Sequence, residues 1–186
     1  RSMSEFYIID HSTTTMQASS SAGGIYGKGG DFLYRWGNPQ VYNKGNSSNR
    51  RLFGQHDVQW IKDGLVDEKK ILIFNNGQSR GYSSVEIVNT QFQNLGNYQL
   101  SSLGTFIPDS SEWIYISDNP TNFFSSYISG AQRLKNGNTL ICDGAHGTFF
   151  EIDKDKNQVW KYVNPVINNR VLDQGDTIPY SNNGWA

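Results

Sequence analysis

One strand–loop–strand phrase is written three times along this chain, and a chain that repeats at this spacing has few folds open to it. The copies begin at Phe6-Tyr-Ile-Ile-Asp-His-Ser12, at Ile71-Leu-Ile-Phe-Asn-Asn-Gly-Gln-Ser-Arg-Gly81 and at Asn138-Thr-Leu-Ile-Cys-Asp-Gly-Ala-His-Gly147. In each, an apolar strand ends in Asp or Asn and a cationic or titratable residue follows: His11, Arg80 and His146. Related loops of a repeated unit are expected to bring these three side chains to one end of the fold. A second phrase, a strand closed by Asn-Pro, also occurs three times, ending at Pro39, Pro120 and Pro165. Gln59 and Gln132 fall at matching places upstream of the second and third copies. From Asp10 to Asn75 is 65 residues and from Asn75 to Asp143 is 68. Repeats of this length, each holding several short strands, point to β-propeller blades with long insertions.

The last copy predicts nearly a whole blade, with strands at 132–134, 139–142, 148–152 and 158–163. The turns Lys135-Asn-Gly-Asn138 and Asp153-Lys-Asp-Lys-Asn157 between apolar runs are hairpin signals. No amphipathic helix of useful length is visible, and residues 12–30 and 40–51, rich in Ser, Thr, Gly and Asn, read as long loops. The expectation is one all-β domain over residues 1–186, with blade segments at about 1–39, 55–120 and 129–165 and a C-terminal tail. About three blades cannot close a ring, so a partial propeller is expected, completed by further blades of a longer protein or by a second copy. A lone open arc would expose aromatic strand faces.

Composition agrees with many short strands. Ten Phe, ten Tyr and five Trp accompany 19 Gly, while only 18% of the residues are charged. Rings and glycines in this proportion suit tight turns and ring-filled sheet interfaces, and so much aromatic surface argues against disorder. A net charge of −1 with no basic stripe removes the electrostatic footprint of a nucleic-acid binder. No apolar run approaches the ~20 residues that span a bilayer. No signal-peptide core is visible, a segment that a mature or trimmed chain would have lost. Cys142, the single cysteine, has no intrachain disulfide partner and, in an apolar strand, is expected to be a buried thiol. Asp153-Lys-Asp-Lys-Asn157 alternates oxygen ligands like the start of a calcium loop, but lacks the following Gly and distal Glu and reads as a solvated turn. No metal or cofactor is expected.

Four longer phrases carry a resemblance. Asp10-His-Ser-Thr-Thr14, Gly30-Asp-Phe-Leu-Tyr-Arg-Trp-Gly-Asn-Pro39, Phe53-Gly-Gln-His-Asp57 and Gly130-Ala-Gln-Arg-Leu-Lys-Asn-Gly-Asn-Thr-Leu-Ile-Cys-Asp-Gly-Ala-His-Gly147 resemble, in wording and order, the bacterial aryl sulfotransferase family. The resemblance covers most of the chain and about half of the family's propeller. It implies a six-bladed β-propeller with its active site at the channel mouth and a periplasmic or extracellular setting. It also implies sulfuryl transfer from an aryl sulfate to a phenol, independent of phosphoadenosine phosphosulfate. The partners are then a small phenolic donor and acceptor. By motif and order, His146 matches the family's transiently sulfated histidine, His56 and Arg80 match the middle pair, and His11 matches the first histidine. All three histidines of the chain fall on such positions.

These residue types fit that chemistry. A neutral imidazole is a competent nucleophile near pH 7, since it ordinarily titrates at ~6.5. Attack on the sulfur gives a sulfohistidine and expels a phenolate, which a second imidazole can protonate before acting as base on the incoming phenol. An arginine offers a permanent charge and a planar fork of donors to sulfuryl oxygens. Asp57 reads as an orienting partner for His56. The rival readings are a non-catalytic propeller that binds a ligand, glycan or protein at the mouth, and a hydrolase that passes the sulfuryl group to water.

Overall fold

Ile71-Leu-Ile-Phe carries no polar residue at alternate positions, the pattern of a strand covered on both faces. The fold is organised around that strand. The computed structural model describes residues 1–94, 96–167 and 170–178, and is all-β, mostly antiparallel, with little helix. β1 (Phe6–Ile8) and β2 (Tyr34–Trp36) form a two-stranded ladder. β3 (His56–Trp60), β4 (Ile71–Asn75) and β5 (Ser84–Val88) follow; after a small hairpin, β6 (Phe92–Asn94) and β7 (Asn97–Tyr98), comes β8 (Trp113–Tyr115). Their sheet runs β3-β4-β5-β8. β9 (Gly130–Arg133), β10 (Thr139–Asp143), β11 (Thr148–Ile152) and β12 (Gln158–Val163) form an equivalent sheet in sequence order. A short ladder of β13 (Val166–Ile167) and β14 (Arg170–Val171) begins the expected C-terminal tail, whose residues 179–186 lie outside the described residues. Four-stranded antiparallel meanders of this kind are consistent with a β-propeller.

β4 and β5 are buried at every position because both of their faces are covered. On one face Leu72, Phe74, Val85 and Ile87 pack against Ala131, Ile141, Phe150 and Ile152 of the next sheet. Phe123 closes that layer, edge-on to Phe74 and Phe150 with centroids 5.7 and 5.4 Å away. On the other face Ile71, Ile73 and Val88 meet Phe6, Tyr34, Trp36 and Leu52. The two four-stranded sheets match strand for strand. Gln59 lies opposite Leu72 and Gln132 opposite Leu140, each the second residue of its strand.

The first copy of the repeat is placed differently from the sequence reading. β1 pairs with β2, the strand that leads to Asn38-Pro39, just as β5 pairs with β8 and β11 with β12. It is therefore the counterpart of β5 and β11, and Phe6-Tyr-Ile-Ile-Asp10 corresponds to Phe149-Phe-Glu-Ile-Asp153 rather than to Ile71–Asn75. The turns agree: Asp10 Oδ1 accepts from the Ser12 amide at 2.8 Å, as Asp153 Oδ1 accepts from the Asp155 amide at 2.9 Å. Residues 12–30, expected as loop, include one helical turn at Thr15–Ala18, capped by Thr14 and Gln17.

A bulge at the start of β3 ties the two large sheets together. The register shifts between His56 and Gln59, and Asp57 adopts a left-handed φ of +51°. That turns its carboxylate onto β9, where Oδ2 accepts from the Ala131 amide and from Gln59 Nε2, each at 2.9 Å. Gly130 has no room for a Cβ beside this carboxylate. Asp57→Ala should cost about 2 kcal/mol, from a lost charge-assisted hydrogen bond and a poorer left-handed residue, whereas Asp57→Asn, which keeps an acceptor and tolerates that φ, should cost clearly less. Ile141→Ala, in the layer between the sheets, should cost about 3 kcal/mol. Urea unfolding of the three variants checks both expectations.

Candidate active site

His146 is placed by a tight turn at the end of β10. The strand ends in Asp143, a 3-10 turn spans Gly144–His146, and Gly147 with φ +57° sends the chain into β11. Three residues of such a turn return to the same side, so His146 Nδ1 sits 2.9 and 2.8 Å from the two Asp143 oxygens. A carboxylate only accepts, which puts the proton on Nδ1 and the lone pair of the neutral ring on Nε2. Both side chains are largely enclosed, 12% exposed for His146 and 7% for Asp143. The turn is clamped from behind: the Gly144 amide donates to Ser129 Oγ at 2.9 Å and the Ala145 amide to Ser125 Oγ at 3.0 Å. The two hydroxyls are themselves 2.7 Å apart.

His56, the first residue of β3, is held in the same fashion by a different group. Its Nδ1 lies 2.7 Å from Asn76 Oδ1. Asn76 is fully buried, and its Nδ2 donates to the carbonyls of Ser125 at 2.7 Å and Ile128 at 2.8 Å. Those two acceptors fix which end of the amide is nitrogen, so its oxygen faces His56 and Nδ1 is again the protonated ring atom. Asp57, the partner expected from sequence, is engaged with β9 instead. Ser125 serves both histidines: its carbonyl anchors Asn76, and its hydroxyl anchors the turn that carries His146.

Arg80 lies in the β4–β5 loop with Asn76, but its guanidinium turns to the side facing β1 and β2. Nη2 donates to Ser84 Oγ at 2.8 Å, and Nη1 lies 4.0 Å from Glu86 Oε1. The head stacks over Tyr82 at 4.6 Å and Phe53 at 5.0 Å. Burial lowers its pKa from the ordinary arginine value, against the opposing pull of Glu86 and Tyr82. Glu86 is buried and accepts from Asn75, Ser84 and Ser111.

His11 is not brought to this end. Following β1, the counterpart of β5, it lies at the opposite end of the sheets from the β4–β5 and β10–β11 loops. There it lines a cavity of ≈ 510 Å³ with Trp60, Ile61, Phe92 and Tyr98. Trp60 ends β3 and His56 begins it, so about 13 Å of strand separates the two places. Burial there pushes the Tyr98 phenol up to about 12. Cys142 is half-buried, and burial, with Asp143 and Asp57 nearby, raises its thiol, as suits an unreactive cysteine. Among the described residues no group of His, Cys, Asp or Glu is arranged to hold a metal ion.

Sequence reasoning missed Asn76, Ser125 and Ser129, and did not single out Asp143. A strand-ending Asp three residues before a His was a usable signal for the last. The serines carry no local signal at all.

A profile of the arylsulfotransferase (ASST) family matches residues 25–174. Among curated protein sequences none matches the chain significantly. That family is usually secreted or periplasmic, and among the described residues no helix is long and apolar enough to cross a membrane. The match takes in His56, Arg80 and His146 and runs through both four-stranded sheets: the chain belongs to the arylsulfotransferase family.

Proposed function

We propose that the chain carries out ping-pong sulfuryl transfer, with His146 as the group that takes the sulfuryl. Family membership supports sulfotransferase function, and one observation carries the mechanism. Both His146 and His56 commit Nδ1 to an acceptor fixed by the protein, so each neutral ring holds its lone pair on Nε2. In the first half-reaction His146 Nε2 attacks sulfur, the bond from sulfur to the aryl oxygen breaks, and the leaving phenolate takes a proton from Nε2 of a protonated His56. The sulfated ring keeps its Nδ1 proton and is cationic, a charge that the Asp143 carboxylate offsets. In the second half-reaction neutral His56 accepts the proton of the incoming phenol, whose oxygen attacks sulfur and releases His146.

Arg80 is the scheme's cation for the sulfuryl oxygens, a role for which its guanidinium would turn from Ser84 and Glu86. His11 has no part in this scheme. The sheets are read as blades of a partial, six-bladed ring. The outer face of the last sheet, where Phe149, Trp160 and Tyr162 are 37%, 48% and 46% exposed, suits a further blade or a second copy.

Release of nitrophenol from 4-nitrophenyl sulfate tests the reaction. A transferase should be strongly stimulated by added phenol, a hydrolase should not, and a binding propeller should release nothing. His146→Ala should lose acceptor-stimulated release at least ~10³-fold; full turnover in that variant removes His146 as nucleophile. Asp143→Asn should lower kcat by about 10²–10⁴-fold with little change in KM, because the amide can donate to Nδ1 and move the ring proton onto Nε2.

A further inference from the structure

A second cleft, of ≈ 340 Å³, opens beside the β4–β5 loop and is lined by Arg1, Arg50, Phe53, Gly54, Gln78 and Ser79 together with small polar residues. Among the described residues no carboxylate lines it. Arg50 Nη2 donates to Ser79 Oγ at 3.1 Å, and its guanidinium stacks on the Phe53 ring at 4.4 Å. It has no ion-pair partner among the described residues, and its Nε is buried without a hydrogen-bond partner. Arg80 stacks on the same ring, and its Nε is likewise unpartnered. Arg80 has Glu86 to offset its charge, whereas among the described residues no carboxylate pairs with Arg50.

Two guanidiniums gathered on one ring repel each other, and a buried N–H without an acceptor is costly. An oxyanion in the cleft relieves the first condition, because the Arg50 fork that lines it offers a positive charge and N–H donors to its oxygens. The cleft lies beside the segment that leads into β3 and His56. Neither histidine lines it, yet Gly54 precedes His56 by two residues, at most about 7 Å of chain. Gln78 and Ser79 belong to the loop that carries Asn76 and Arg80.

We propose that Arg50 binds an anionic substituent, a carboxylate or sulfate, carried on the aryl substrate at a distance from the sulfuryl group being transferred. Naming an aryl substrate rests on the proposed function; the anion site itself does not.

The test is isothermal titration, in low-salt buffer, of the His146→Ala protein, in which turnover cannot obscure binding. The probes are inorganic sulfate, phenol and 4-hydroxybenzoate. The expected result is that 4-hydroxybenzoate binds at least ~10-fold more tightly than phenol, and that Arg50→Gln removes this advantage while leaving phenol unchanged. Arg50→Lys, which keeps the charge and loses the fork, should retain part of it and covers the case in which Arg50→Gln folds poorly. Equal affinity for phenol and 4-hydroxybenzoate, with sulfate alone bound, would mean a site for free anions and overturns the proposal. An advantage that survives both Arg50 substitutions overturns it as well. A failure of sulfuryl transfer itself leaves these titrations readable, so the two readings fail separately.

Discussion

The covering of β4 and β5 on both faces sets the register of the rest of the molecule. Leu72 and Phe74 point one way and Ile71 and Ile73 the other, so each neighbouring layer has one arrangement that buries its own apolar face. The same enclosure governs the polar end of these strands. Asn75, Asn76, Ser83 and Ser84 are fully buried, and a buried polar group must find partners. Asn75 accepts from the Phe53 amide and donates to the Arg51 carbonyl and to Glu86. Asn76 holds His56. The precision of the site thus follows from burial rather than standing apart from it.

Two imidazoles with the same protonated nitrogen are still not interchangeable. His146 faces a carboxylate and His56 a neutral amide. A carboxylate stabilises a positive ring charge far better than an amide does, as the sulfated intermediate proposed for His146 would require. A neutral acceptor fixes a ring's orientation without setting a fixed charge beside it, an arrangement compatible with the proton-transfer role proposed for His56. Ser125 joins the two, its carbonyl anchoring Asn76 and its hydroxyl the turn that carries His146.

Legibility in the sequence followed contact distance. The strands of the β9–β12 sheet are set by hairpins of four or five residues, and the sequence places all four within two residues of where they lie. His146 and Asp143 are three residues apart, and their relation could be read. The first copy is misplaced because Phe6–Asp10 is an apolar run closed by Asp, and β4, closed by Asn75, and β11, followed by Asp153, have the same pattern. Period-2 patterning says that such a run is a strand but not which strand; the partner on its side decides that. Asn76 was invisible because the carbonyls that orient it come from Ser125 and Ile128, 49 and 52 residues away. Asp57 was given to His56 by adjacency, whereas its partner amide lies 74 residues on.

The uncovered outer face of the third sheet bears on how self-sufficient the site is. β12 is exposed along most of its length, while β10 and β11 are buried on the side that meets the second sheet. Every group that aligns the two histidines lies on that inner side or in the loops beside it: Asp143, Asn76, Ser125 and Ser129. None of these contacts passes through the open face. The anchoring of each imidazole is therefore a property of two adjacent sheets and the segment that links them. A further sheet packed on Phe149, Trp160 and Tyr162 would add enclosure, and with it exclusion of water from the proposed intermediate, without being needed to hold the two rings.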